Sequence, residues 1–209
     1  IVFVEDRPDS WARRLASAVH RTAYPRLPLD VGAISSPVTE ATAVALFRGL
    51  FQDDRDAVGT LGLVGPALGL THPGAPARFD VADCEAYAIL RGELDSAGGE
   101  MAAEEMLRVL TLDHGLTQPL ALLYLMAFVR ESRAEVELVP DHRVETRPGG
   151  PFLSDRITWD LVPEIAFSTS LAGELATVRI RPSITRSTVL PYLAALAGET
   201  AIGGDLLSD

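Results

Sequence analysis

Residues 117–139 read TQPLALLYLMAFVRESRAEVELV. Thr117 is placed to cap a helix, and Pro119 falls in its first turn, where a missing N–H is tolerated. Leu120, Leu122, Leu123, Leu125, Met126, Phe128 and Val129 make that helix apolar nearly all round. A helix of this kind is buried on most faces. Arg130, Glu131 and Arg133 bring its end to the surface. The period then changes: Glu135–Val139 alternates polar and apolar, the pattern of a half-buried strand.

Two more helices are predicted upstream. Asp83–Leu94 carries Tyr87, Leu90, Arg91 and Leu94 at helical spacing, and Gly98-Gly99 breaks it. Glu100–Leu112 points Met101, Ala102, Met106, Val109 and Leu110 inward, with Gly115 as its C-cap and His114 in its last turn. Downstream, Arg143–Thr146 alternates again, Pro148-Gly149-Gly150-Pro151 is a strong turn signal, and Phe152-Leu153 begins a returning strand. Three helices followed by a strand, a Gly/Pro-tipped loop and a strand form the order of a winged helix. Thr158–Ile165 suits either a short helix or a strand. Glu174–Arg181 reads as a strand, and Ser187–Leu196 as a closing amphipathic helix.

The first part of the chain reads as helical. Asp9–Thr22 places Trp11, Leu15, Ala18 and Val19 on one side until Tyr24-Pro25 stops it. A second helix runs from Ser36 or Pro37 to Phe51, capped by Ser36, with Val44, Phe47, Leu50 and Phe51 as its apolar face. Asp53–Asp56 reads as an exposed turn or a new helix start. Leu61–Leu70, broken by glycines and Pro66, reads as a buried connector. His72–Pro76 is the best internal boundary. The expectation is an α+β, mainly helical chain: an N-terminal helical region over 1–74, then a winged-helix-like region with a small antiparallel sheet and a C-terminal helix over 75–209.

The alphabet excludes several chemistries. Among 209 residues the 18 basic ones are all arginine, against 29 acidic, for a net charge of -11. There is no Lys and no Asn, as a high-GC genome would produce. P-loop and Schiff-base lysines are therefore absent, as is base readout by Asn. A chain this acidic is poorly suited to gripping phosphate backbones over a wide surface. The lone Cys84 excludes a disulfide framework, and its neighbours Asp83 and Glu85 disfavour a reactive thiolate. No apolar run is long enough for a membrane helix. The chain opens at Ile1 without an initiator Met, which suggests a region excised from a larger cytoplasmic protein.

Few residues stand out as site candidates. Before Arg130 the 117–131 helix offers no cation, and residues 100–150 hold nine acids and five bases, a net of -4. Protein docking, or service as a lid, is thus favoured over DNA reading. His20, His72, His114 and His142 never share ligand spacing, so no metal and no cofactor is expected. Asp113-His114 reads as a helix end, Asp141-His142 as a solvated loop, and Ser154 lacks a nucleophile elbow. Trp11 and Trp159 read as core or interface anchors. The residues placed for partner contact are Arg130 and Arg133 at the helix end and Arg179 and Arg181 on one strand face.

Tyr24-Pro25, the helix opening with Pro37-Val38-Thr39-Glu40, Met106-Leu107-Arg108, Gly115-Leu116-Thr117, Leu122–Leu125, Phe128-Val129-Arg130 and Asp160–Glu164 together carry a resemblance. Over about residues 20–180 the chain resembles a region of the large P-loop ATPases of Pgl/BREX-type bacterial phage-resistance systems. That resemblance implies a segment following the nucleotide-binding core, a role in phage defence, and ATP hydrolysis elsewhere in the parent chain. With no Walker A lysine motif and no Walker B acid here, no catalytic residue carries over. The expected function is a non-catalytic accessory or interaction domain of an ATPase-type protein. Its partners would be other domains of the parent chain or a separate protein. The alternative is a winged-helix nucleic-acid-binding module.

Overall fold

A computed structural model describes residues 15–16, 18–20, 22–29, 38–72, 78–144 and 154–180. The described chain is α+β and mainly helical. The start of the predicted 9–22 helix, the 148–151 turn, Phe152-Leu153, Arg181 and the 187–196 helix lie outside these residues. Within the N-terminal helical stretch, Leu15 and Val19 are exposed rather than buried, so the described part of that face covers no core.

Helix α1 (Glu40–Phe51) begins at Thr39, whose side chain accepts from the N–H of Thr42 at 3.3 Å. The cap is therefore Thr39 rather than Ser36, because Thr39 is still extended and its hydroxyl meets an orphan donor. Ala43, Leu46 and Phe47 are its buried residues. Asp54 then caps a short 3₁₀ turn (Arg55–Ala57) that leads into α2 (Val58–Val64), so the acidic run is a helix start. The expected connector at 61–70 is thus helical in its first part, and Leu63 points outward, 78% exposed. Its remainder folds tightly. A Cβ on Gly65 would sit 2.5 Å from the Leu61 carbonyl and 2.7 Å from Thr71 Oγ1, so only glycine fits. Strands β1 (Thr71–His72) and β2 (Arg78–Phe79) then pair antiparallel around the predicted boundary.

Helix α3 (Glu85–Ser96) buries Ala86, Leu90 and Leu94, and Gly98 and Gly99 at positive φ end it as predicted. The next segment departs from the expectation. Glu100–Ala102 is strand β3, not the first turn of a helix, because its backbone is taken up by β6 (Leu175–Ile180). Tertiary pairing outweighs the favourable helix propensity of Glu-Met-Ala. Helix α4 (Ala103–Arg108) comes after it and widens into a π turn (Val109–Asp113). Gly115, at φ 75, turns the chain where a Cβ would lie 2.3 Å from the Tyr24 ring.

Helix α5 (Gln118–Ser132) is capped by Thr117, and every residue from Leu120 to Val129 is buried. It packs against α1, α3, α4 and β4 (Ala134–Leu138). Tyr124 donates to the Leu68 carbonyl at 2.7 Å, the Tyr87 and Phe128 rings lie 5.3 Å apart, and Phe47 stacks on Phe167 at 4.4 Å. Residues on both sides of position 74 share this core. The sheet order is β3-β6-β4-β5, all antiparallel, with β5 at Arg156–Thr158. The strand returning after the predicted 148–151 turn, expected to begin at Phe152, is described from Ser154, which bridges to Val144, and pairs with β4 as β5. The ambiguous 158–165 stretch is the end of β5 followed by a 3₁₀ turn (Val162–Glu164). Among the described residues no helix is long and apolar enough to cross a membrane.

Candidate interaction surface

The apolar run of α5 ends at Arg130, and the chain reverses into β4 through Arg133, which occupies the left-handed region at φ 54. The register opposing Glu135 to Thr158 brings the next residue, Trp159, beside this junction. Arg130 Nη1 donates to the Trp159 carbonyl at 2.8 Å. The guanidinium carbons of Arg130 and Arg133 stand 5.3 and 5.5 Å from the centroid of the indole, which is 40% exposed. Cation–π contacts at such exposure contribute about 0.5–1 kcal/mol each. Arginine at positive φ costs roughly 1 kcal/mol that glycine would not. Among the described residues, neither guanidinium has a carboxylate within ion-pair distance. Glu131 and Asp160, adjacent in the chain to Arg130 and Trp159, are exposed.

Arg179 has a different environment. It lies opposite Glu135 in the β4–β6 register, with Nε 3.2 Å from Glu135 Oε1, and Nη2 pairs with Glu137. Arg156 approaches Glu135 from β5 at 3.9 Å. The alternation of Glu135–Val139 predicted a solvated acidic face, yet Glu135 is only 3% exposed. Strands on both sides of β4 bring guanidinium groups over it, so the Arg179 charge is answered within the sheet.

The other described candidates make contacts of their own. Cys84 precedes α3 as a buried thiol. Burial pushes its pKa up, backbone N–H groups of Tyr87 and Ala86 oppose this, and Glu85 adds a small upward push. The flanking carboxylates, which in the sequence point the same way, are thus secondary to burial. Asp113 lies 3.8 Å from Arg108 rather than on His114, whose Nδ1 is 2.8 Å from the Arg26 carbonyl. Because a carbonyl only accepts, that nitrogen carries the proton. His142 contacts its own loop at Pro140, and the His20 ring lies 4.9 Å from Tyr24. Ser154 donates to the Arg156 carbonyl at 2.7 Å. No group of three or more His, Cys, Asp or Glu among the described residues is arranged to hold a metal. An open groove of about 680 Å³ runs along α3, where Arg91 is neutralised by Asp95 at 3.0 Å.

Arg130 and Arg133 were thus legible as surface cations, and the structure joins them through Trp159. No protein-family model matches this chain, and neither do the curated proteins or the solved structures compared with it.

Proposed function

We propose that the chain is a non-catalytic interaction domain with a winged-helix-like arrangement. One observation carries this reading: α5 is enclosed. In a helix-turn-helix module that reads DNA, the recognition helix lays an exposed face in the major groove. Here the corresponding helix is α5, third after α3 and α4, and Leu120–Val129 are all buried. It presents no free face to base edges, and its cations stand only at its C-terminal end. The strand order supports the same arrangement. Strand β3, between the first two helices of the trio, lies beside β6, which lies beside β4. Beyond β4, the Val144–Ser154 bridge and the pairing of β4 with β5 take the place of a wing's base.

With its third helix committed to the core, such a unit serves other proteins as a docking element or lid. The resemblance to Pgl/BREX-type ATPases supports a cytoplasmic, ATPase-type parent in phage defence, its companions being the parent's other domains or a separate protein. Two measurements test the reading. A labelled DNA duplex titrated at about 50 mM salt, where phosphate contacts are strongest, is expected to give no binding. ATP turnover by the chain is expected to be absent. Salt-dependent duplex binding, or hydrolysis at about 1 s⁻¹ or faster, would overturn it.

A further inference from the structure

We infer that Arg130, Trp159 and Arg133 form a docking site for a short carboxylate-bearing segment of a protein partner. The inference rests on the reading of this chain as an interaction domain and names the chemistry that domain recognises.

Three observations lead there. First, both guanidinium groups lie over the indole, within 5.5 Å of its centroid, without a carboxylate partner among the described residues. Arg130 gives Nη1 to the Trp159 carbonyl, and the remaining N–H donors of the two guanidiniums offer the fork that matches a carboxylate. Second, Arg133 occupies a positive-φ helix end where glycine is the ordinary residue. Strain retained at a surface position, in a residue whose charge no described carboxylate answers, points to use of that charge. Third, the positive locus is small. The whole chain carries -11, and Glu131 and Asp160 are exposed beside the arginines. Bidentate contact with the two guanidiniums suits a ligand with one or two carboxylates, and Glu131 and Asp160 beside them limit it to that size. A nucleic-acid strand, charged at every nucleotide, would extend onto the acidic surround. A base stacking on Trp159 would also compete with the guanidiniums already over the ring.

The test uses the full chain with Trp11→Phe, so that of its two tryptophans Trp159 alone emits. Its fluorescence is titrated with an acetylated Glu-Asp-Leu-Glu-Asp peptide, the Gln/Asn counterpart, and an oligothymidylate of about ten residues. The acidic peptide is expected to bind and the amide peptide to bind at least about tenfold more weakly, the contrast expected from charge-assisted contacts. Arg133→Gly should lose a similar factor while its melting temperature moves by no more than about 3 °C. Arg48→Ala, exposed on α1, should bind like the parent. Equal binding of both peptides, tighter binding of the oligothymidylate, or unchanged affinity in Arg133→Gly would overturn the inference. Failure of every peptide while duplex DNA is also not bound would overturn this docking chemistry alone. Duplex binding that persists in Arg133→Gly would instead overturn the interaction-domain reading beneath it.

Discussion

The sheet and the end of α5 each hold two arginines, and the fold treats them in opposite ways. Arg156 and Arg179 converge on Glu135, which is almost fully buried, and Arg179 also pairs with Glu137. Arg130 and Arg133 converge on an indole and a backbone carbonyl. A carboxylate cancels a guanidinium charge. A ring face and a carbonyl orient it while leaving it net positive. The first pair therefore ties three strands together, and the second has no described carboxylate to cancel it. Residue type and exposure alone would not separate them, since each pair is partly solvated.

The sharpest way to break this contrast is to remove the shared acid. Glu135→Gln leaves two guanidiniums facing a neutral amide inside the sheet. Breaking a fully buried ion pair costs about 3–5 kcal/mol; because both arginines remain partly in water, about 2 kcal/mol is expected. Urea denaturation of parent and variant measures it, and a loss below about 0.5 kcal/mol would mean that the sheet arginines are as uncommitted as the helix-end pair.

Beneath both arginine pairs lies the anchoring of α5, and Tyr124 probes it. Burial holds its phenol pKa well above the usual 10.0, with a smaller push from Cys84. The fold therefore retains the proton that the unfolded chain releases first. Stability from this group is complete below the unfolded value and falls as pH rises above it. Tyr124→Phe should lower stability at neutral pH by about 1 kcal/mol, because the Leu68 carbonyl loses its phenol donor and keeps only the weak Cys84 thiol at 4.0 Å. It should also flatten the decline at alkaline pH. Denaturant midpoints at pH about 8 and about 11 give both numbers, and a parallel decline in the two proteins would show that another group titrates.

A smaller effect distinguishes the exposed aromatic from a core one. Trp159→Ala removes two cation–π contacts but little buried area, so about 1 kcal/mol is expected, far below the roughly 3–5 kcal/mol of a buried tryptophan. Thermal melts would register a larger loss as evidence that the indole supports the β5 turn rather than a surface site.

Much of the helical architecture was legible because its signals are local. The 120–129 apolar run, Thr117 and Pro119 ahead of it, and Gly98-Gly99 each act within a turn of the residue concerned. The strand at 100–102 was not legible, since Glu-Met-Ala carries helical propensity and its partner lies beyond residue 174. Nor was the burial of Glu135: period-2 alternation assumes one solvated face, and β4 is instead flanked by β5 and β6, each carrying an arginine over it. Arg130 and Arg133 were visible as cations. Their meeting with Trp159 depends on the β4–β5 register, which sets Glu135 against Thr158 across a long sequence separation. The sequence-predicted contact set thus mixed residues with separate fates, Arg179 joining the sheet and Arg181 falling outside the described residues.

The smallest expected change in stability is also the most discriminating. At Arg133 two effects oppose each other. Glycine would relieve roughly 1 kcal/mol of backbone cost at φ 54, and would forfeit a surface cation–π contact of about 0.5–1 kcal/mol. Glycine's greater unfolded-state entropy removes part of the gain. Arg133→Gly should therefore lie within about 0.5 kcal/mol of the parent in either direction. A charge kept for folding cannot be deleted at no cost, whereas one kept for a ligand can. If Arg133→Gly instead destabilised by about 2 kcal/mol in a thermal melt, the helix-end arginine would be as structural as Arg179, and the contrast between the two pairs would disappear.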